Sequence, residues 1–266
     1  HFRPFATNTG VAIGPDESQM PKPCANLTLL FTELPMPERF GAARKAGFDT
    51  VEILFPYDMP APETRRLLEI NDLTLALINC PPPNYADGPR GFAAVPGGEE
   101  RFRKDFRRTL RYAEALGAKF IHLMAGVADG PEAEATMTEN LRWAAAEAPG
   151  QALTIEPINR FDMPGYFLAN YDLAARILDA VAAPNLGLQF DAYHAHRITG
   201  DVMGAWEKMA PRVTHVQVGG FPGRHEPVAC DIDYPAFFAR LDRDGYQGWV
   251  SGEYHPAGRT EEGLGW

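Results

Sequence analysis

The feature that narrows the fold most is a strict alternation of short apolar runs and longer amphipathic stretches along most of the 266-residue chain. Eight segments read as strands: Cys24–Leu30, Thr50–Leu54, Thr74–Asn79, Phe120–Met124, Ala152–Glu156, Leu186–Asp191, Val213–Val218 and Trp249–Glu253. Their apolar stretches suit strands covered on both faces, as in a parallel sheet. Seven segments between them read as helices: Pro37–Ala46, Pro62–Asn71, Gly98–Leu116, Glu132–Ala148, Leu173–Ala182, Val202–Met209 and Tyr234–Arg243. Pro37 fits a first helical turn, and Gly47 and Gly117 follow helices where a positive φ is needed. Alternation of this kind predicts an α/β protein, and eight strands predict closure into a single (β/α)₈ barrel. An open doubly wound sheet would need a glycine-rich turn after its first strand, and Phe31–Pro37 holds no glycine. Little chain follows the last strand before Trp266, so the final helix is expected to be missing or abbreviated.

Residues His1–Gln19 show no periodicity and no basic segment leading into an apolar one. They are expected to be a tag remnant or unstructured extension rather than a secretory signal, with the barrel domain spanning 20–266. The longest apolar runs, Leu27–Phe31 and Val51–Phe55, are too short to cross a bilayer. Acidic residues outnumber basic ones 35 to 25, a net charge of −10, which argues against nucleic acid as a partner. Cys24, Cys80 and Cys230 form no CxxC pair, so neither a disulfide framework nor a cysteine zinc site is expected, and a reducing cytoplasm fits.

Function in such a barrel resides on the face formed by the C-terminal ends of the strands. Glu156, Asp191, Gln217 and Glu253 stand at or near the ends of the last four predicted strands, spaced by 35, 26 and 36 residues. Taken singly, each acid reads as a helix cap or ion-pair partner. Four in phase converge on the barrel axis, where three carboxylates repel one another unless a cation lies between them. Oxygen-only ligation favours Mg²⁺ or Mn²⁺ over zinc. His194 follows Asp191 by three residues; Asn159, Arg160 and Asp162 follow Glu156; Arg224, His225 and Glu226 lie in the long loop after strand seven. His122 reads as structural, and for His215 both readings stay open. Two long loops, Cys80–Gly97 and Gly219–Asp233, follow strands and belong to the same face.

The segments ANLTLLFTELP (25–35), RFGAARKAGFDTVEILFPYD (39–58), HLMAG (122–126), FDAYHAH (190–196), GRHEP (223–227) and YQGWVSGEY (246–254) resemble the hydroxypyruvate isomerase family. That family includes the 2-oxo-tetronate isomerases and belongs to the xylose-isomerase-like TIM barrels. EPINRFD (156–162) and DAYH (191–194) are also similar to stretches of the ketose 3-epimerases of that superfamily. The resemblance implies that Glu156 and Glu253 are an acid/base pair and metal ligands, that Asp191 is a ligand, and that His194, Arg224 and Asp162 contact substrate. Gln217 stands where the epimerases carry a metal-binding histidine. A homodimer or homotetramer is also implied.

The expected reaction is an aldose–ketose type isomerisation of a small hydroxy-oxo acid through an enediolate, assisted by a divalent metal. An acid substrate calls for a cationic clamp, for which Arg224 with His225 beside it is the candidate. Competing readings are a ketose 3-epimerase on a neutral sugar, a dehydratase of inositol-like ketones, a DNA-repair endonuclease, disfavoured by the acidic charge, and a non-catalytic sugar-binding barrel.

Overall fold

The computed structural model describes residues 21–81 and 90–266. The predicted extension 1–19 and the middle of the Cys80–Gly97 loop lie outside the described residues. In chain order the elements are β1 (Lys22–Asn26), α1 (Met36–Lys45), β2 (Thr50–Glu52), α2 (Ala61–Ile70), β3 (Thr74–Leu75), β4 (Leu77–Cys80), α3 (Glu99–Leu116), β5 (Phe120–Leu123), α4 (Gly130–Glu147), β6 (Ala152–Ile155), α5 (Tyr171–Val181), β7 (Leu186–Asp191), α6 (Ala192–Thr199), α7 (Val202–Met209), β8 (Val213–Val218), α8 (Tyr234–Arg243) and β9 (Trp249–Gly252).

All strand pairs are parallel, in the order β3-β2-β1-β9-β8-β7-β6-β5-β4. The predicted strand Thr74–Asn79 appears as two pieces, β3 and β4, on either side of Ala76. Ala76 joins them across the gap: its N–H donates to Val51 O on β2 at 2.7 Å, and its carbonyl accepts Phe120 N on β5 at 2.7 Å. One strand thus serves both neighbours, and the sheet closes as an eight-membered ring, as the alternation predicted.

The helices pack outside the ring on a large apolar layer. Trp206 of α7 is buried and meets Phe190 of β7 at 5.4 Å and Phe237 of α8 at 5.7 Å, both edge-on. Truncating such a residue to alanine costs about 3–5 kcal/mol. Inside the ring, Cys24, Leu77, Phe120 and Trp249 form a small apolar cluster near the strand starts, and the residues beyond it are polar: Asn26, Glu52, Asn79, His122, Thr154, Gln189, His215, Gln217 and Ser251 are all buried.

Two further details depart from the sequence reading. The first strand stops at Asn26 instead of Leu30, because the Asn26 side chain accepts Thr28 N at 3.0 Å and its carbonyl accepts Leu29 N and Leu30 N. That local competition turns the chain out of the sheet. A second helix, α6, starts on the residue after β7, capped by Asp191, which accepts Tyr193 N at 2.7 Å. Beyond β9 the described residues form the 3₁₀ turn Thr260–Gly263. Thr260 ties that turn to the loop after β1, accepting Phe31 N at 2.7 Å and donating its own N–H to Glu33.

No helix among the described residues is long and apolar enough to cross a membrane. Cys24, Cys80 and Cys230 are all free thiols.

Candidate active site

Four consecutive strands supply the cluster. Glu156 directly follows β6, Asp191 ends β7, Gln217 lies in β8 and Glu253 directly follows β9. All four are buried. Arg224 reaches in from the β8–α8 loop, where its backbone adopts φ +54°. Its Nη2 donates to Asp191 Oδ2 and to Glu253 Oε1, both at 3.0 Å, while its Nε lies 3.3 Å from the Glu253 carbonyl. The guanidinium also stacks over the Tyr193 ring at 4.8 Å. Arg224 therefore holds two carboxylates of the cluster, an arrangement the sequence did not disclose.

His194 sits one helical turn past Asp191. Its Nε2 is 3.7 Å from Asp191 Oδ2 and 3.9 Å from Glu156 Oε1. Asn159 determines the state of that ring. Asn159 Oδ1 accepts Phe161 N and Asp162 N, so its Nδ2 is the donor, and it points at His194 Nδ1 at 2.7 Å. The backbone N–H of Asn159 faces the same nitrogen at 3.4 Å. Nδ1 is therefore the acceptor, and Nε2 carries the proton toward the carboxylates. Burial, reinforced by Arg224, pushes His194 well below its ordinary pKa, so the ring is neutral.

Asp162 and His225 lie further out. Asp162 Oδ2 accepts Asn159 Nδ2 at 3.0 Å, so its hydrogen bond toward His194 runs through that asparagine, while its charge acts on the ring directly. His225 is exposed, and its Nδ1 contacts the His255 carbonyl at 2.8 Å. That contact ties the loop carrying Arg224 to the segment after β9.

Two buried oxygens of the cluster, Glu156 Oε1 and Glu253 Oε2, have no hydrogen-bond partner among the described residues. A buried oxygen of this kind calls for a proton or a cation. Glu156, Asp191 and His194 bring one potential ligand atom each to within 4.8 Å of one another. The tautomer of His194 disfavours its nitrogen as a ligand, since Nε2 is protonated. Of that group the carboxylates of Glu156 and Asp191 remain, the kind of oxygen donor a hard divalent ion takes.

Without such an ion the carboxylates hold protons tightly. Burial pushes Glu156 well above the ordinary carboxylate range, and Glu253 and Asp191 add to the rise. Burial raises Glu253 likewise, with Arg224 opposing. Asp191 is raised by burial, against the pull of Arg224. Burial lowers the basicity of Arg224, but Glu253 and Asp191 more than compensate, and the guanidinium stays charged.

Two members of the polar interior escaped the sequence reading. Glu52, at the end of β2, faces His215 Nε2 at 2.7 Å and Gln217 Nε2 at 2.8 Å. Gln189, in β7, donates to Glu156 Oε2 at 3.1 Å and to Gln217 Oε1 at 2.6 Å. Gln189 did carry a signal, since it stands two residues before Asp191 and so shares its face of the strand. His122 is neutral, pushed down to about 3 by burial and then by His194 and His215.

Residues 40–266 match the model of the xylose isomerase-like TIM barrels. The chain belongs to that family. The 2-oxo-tetronate isomerase of Cupriavidus necator is 44% identical over 253 residues, covering 93% of this chain and 97% of the relative. The hydroxypyruvate isomerase of Escherichia coli K12 is 39% identical over 248 residues, covering 91% and 96%. A crystal structure titled AP endonuclease, family 2, from Brucella melitensis superposes with a TM-score of 0.89 at 43% identity, covering 93% of this chain and 98% of that one. With isomerases this similar along nearly their whole length, the chain is an isomerase.

Proposed function

We propose that this isomerase acts on short hydroxy-oxo acids, interconverting hydroxypyruvate and tartronate semialdehyde, or a 2-oxo-tetronate and its 3-oxo isomer. The names of its relatives support that substrate class. The observation that carries the chemistry is the pair of partnerless buried carboxylate oxygens, Glu156 Oε1 and Glu253 Oε2. They suit an acid/base pair. One carboxylate takes the proton from C3 of the 2-oxo acid, leaving an enediolate. The other, as a carboxylic acid, returns a proton to C2, while the hydroxyl proton passes from the C3 oxygen to the C2 oxygen. Raised proton affinity at both glutamates fits this exchange, because each must be able to carry a proton near neutral pH.

A divalent ion, Mg²⁺ or Mn²⁺, held by Glu156, Asp191, Gln217 and Glu253 would polarise the substrate's carbonyl and hydroxyl oxygens and stabilise negative charge developing there. The protein's own groups do the rest. His194 presents its Nε2–H to the cluster as a neutral donor, with Asn159 and Asp162 holding the ring. Arg224 engages the carboxylates through Nη2, and its Nη1 has no hydrogen bond among the described residues. That second arm suits the carboxylate of an acid substrate, and it favours an acid over a neutral ketose. His225 supports the loop rather than the substrate. The net charge of −10 weighs against DNA as a substrate. We further propose a cytoplasmic homodimer or homotetramer.

The test is proton exchange followed by NMR in D₂O with hydroxypyruvate, a 2-oxo-tetronate and a neutral ketose, each with EDTA or added Mg²⁺ or Mn²⁺. Metal-dependent deuterium incorporation and product with the acids alone is the expected result. Exchange at C3 of the neutral ketose alone would make the protein an epimerase.

A further inference from the structure

Beneath the carboxylate cluster, the hydrogen bonds inside the barrel run in one direction. They begin at Glu52, fully buried and unused by the chemistry above. Glu52 collects N–H donors: Asn26 Nδ2 at 2.8 Å and Gln217 Nε2 at 2.8 Å on one oxygen, and His215 Nε2 at 2.7 Å on the other. Asn26 cannot be turned around, because its Oδ1 is taken by Thr28 N. With the nitrogen of Gln217 on Glu52, its oxygen faces Gln189 Nε2 at 2.6 Å. The second proton of Gln189 Nε2 points at Glu156 Oε2, 3.1 Å away, and Gln189 Oε1 accepts the Thr154 hydroxyl at 3.1 Å. Reversing either glutamine would set oxygen against oxygen at one end of its side chain.

We propose that Gln189 is a positioning residue for Glu156 and Gln217, and that Glu52 fixes the direction in which its amide faces. The consequence at Glu156 is a distinction between its two oxygens. Oε2 receives the Gln189 N–H, while Oε1 is left as the oxygen that exchanges with substrate or ion. At Gln217 the oxygen is turned away from Glu52, with one lone pair on Gln189 and the other left for a cation. The effect on turnover rests on the isomerase chemistry proposed above; the orientation itself does not.

Three variants test this. Gln189→Met keeps the length of the side chain and removes both donors. Glu52→Gln keeps an oxygen for Asn26 and Gln217 and turns a new N–H₂ toward His215, whose Nε2 becomes an acceptor in the other tautomer. The direction of the chain survives that change. Glu52→Met releases Gln217 and lets both amides reorient. The readouts are the side-chain amide ¹H–¹⁵N signals of Gln189 and Gln217, Mn²⁺ affinity by calorimetric titration, and kcat and KM for deuterium exchange.

Loss of an outer partner of this kind lowers metal affinity or activity by roughly 10–100-fold. We expect that loss in kcat and in Mn²⁺ affinity for Gln189→Met and Glu52→Met, with KM little changed and the slowly exchanging Gln amide signals lost. Glu52→Gln should stay near the wild type in all three. The proposal is overturned if Gln189→Met keeps wild-type kcat and Mn²⁺ affinity. It is equally overturned if Glu52→Gln is as damaged as Glu52→Met, since the charge of Glu52 and not the direction of its acceptors would then matter. Should Glu52→Met not fold, Gln189→Met and Glu52→Gln decide the matter. Should the wild type exchange no proton of any acid, the amide signals and Mn²⁺ affinity still test the orientation, and only the isomerase chemistry fails.

Discussion

Three carboxylates meet one guanidinium in the cluster, so two negative charges lack a counter-charge when Glu156, Asp191 and Glu253 are all ionised. In the metal-free protein, protons must supply it, and all three acids bind protons more tightly folded than unfolded. The sign follows directly. The unfolded carboxylates titrate near pH 4, and the folded ones titrate higher. Over that interval the folded state holds more protons, so the contribution of these groups to stability falls as pH rises. A divalent ion takes the place of the protons, so binding should release protons, at most two by this charge count. Saturation at 100 times the dissociation constant adds about 2.7 kcal/mol. For a chain of this size each kcal/mol shifts Tm by roughly 2–4 °C, so Mn²⁺ should raise Tm by about 5–11 °C. The shift should be larger at pH 8 than at pH 5, where protons compete. Scanning calorimetry with EDTA or Mn²⁺ at both pH values measures this shift. Titration in two buffers of different ionisation heat counts the protons. An equal Mn²⁺ shift at both pH values, with no protons released at pH 6, would refute the charge argument.

Glu156→Gln and Glu253→Gln should each lower deuterium exchange by about 10²–10⁴-fold. Each should also raise the Tm of the metal-free protein at pH 8, because a costly buried charge is gone. Asn159→Ala removes the side-chain donor that holds His194 Nδ1 as an acceptor. Imidazole ¹⁵N shifts should then show a mixture of tautomers, with kcat down roughly 10-fold. Gly91→Ala would set a Cβ 2.3 Å from the Met124 carbonyl at φ +108°. Overpacking of this kind costs about 1–3 kcal/mol, and a Tm unchanged in a thermal melt would show that the loop yields freely.

Local patterns revealed the ring because each strand announces itself by an apolar run, and the four site residues stand in phase at strand ends. What the sequence could not disclose depends on partners from other strands. The tautomer of His194 is set by Asn159, from the loop after β6. Beside the substrate contact expected of it, Arg224 bridges Asp191 and Glu253 through Nη2, a contact made only once the β8–α8 loop folds back over the ring. Glu52 was overlooked because a lone acid in a short strand looks like any other strand-end acid until Asn26, His215 and Gln217 surround it. Helix α6 was missed because no loop separates it from β7.

The cluster occupies one arc of the ring. Glu156, Asp191, Gln217 and Glu253 come from β6 to β9, neighbours in the sheet, whereas β1 to β5 contribute none of these four. A barrel arranged in this way divides its labour. Provided Glu52 at the end of β2, with Asn26 of β1 bonded to it, keeps its hold on Gln217, loops on the β1–β5 side can be lengthened, shortened or exchanged without moving those four residues. Substrate size can then be retuned there while the reacting groups stay in register. A descendant of this chain could therefore change what it accepts far more readily than how it reacts.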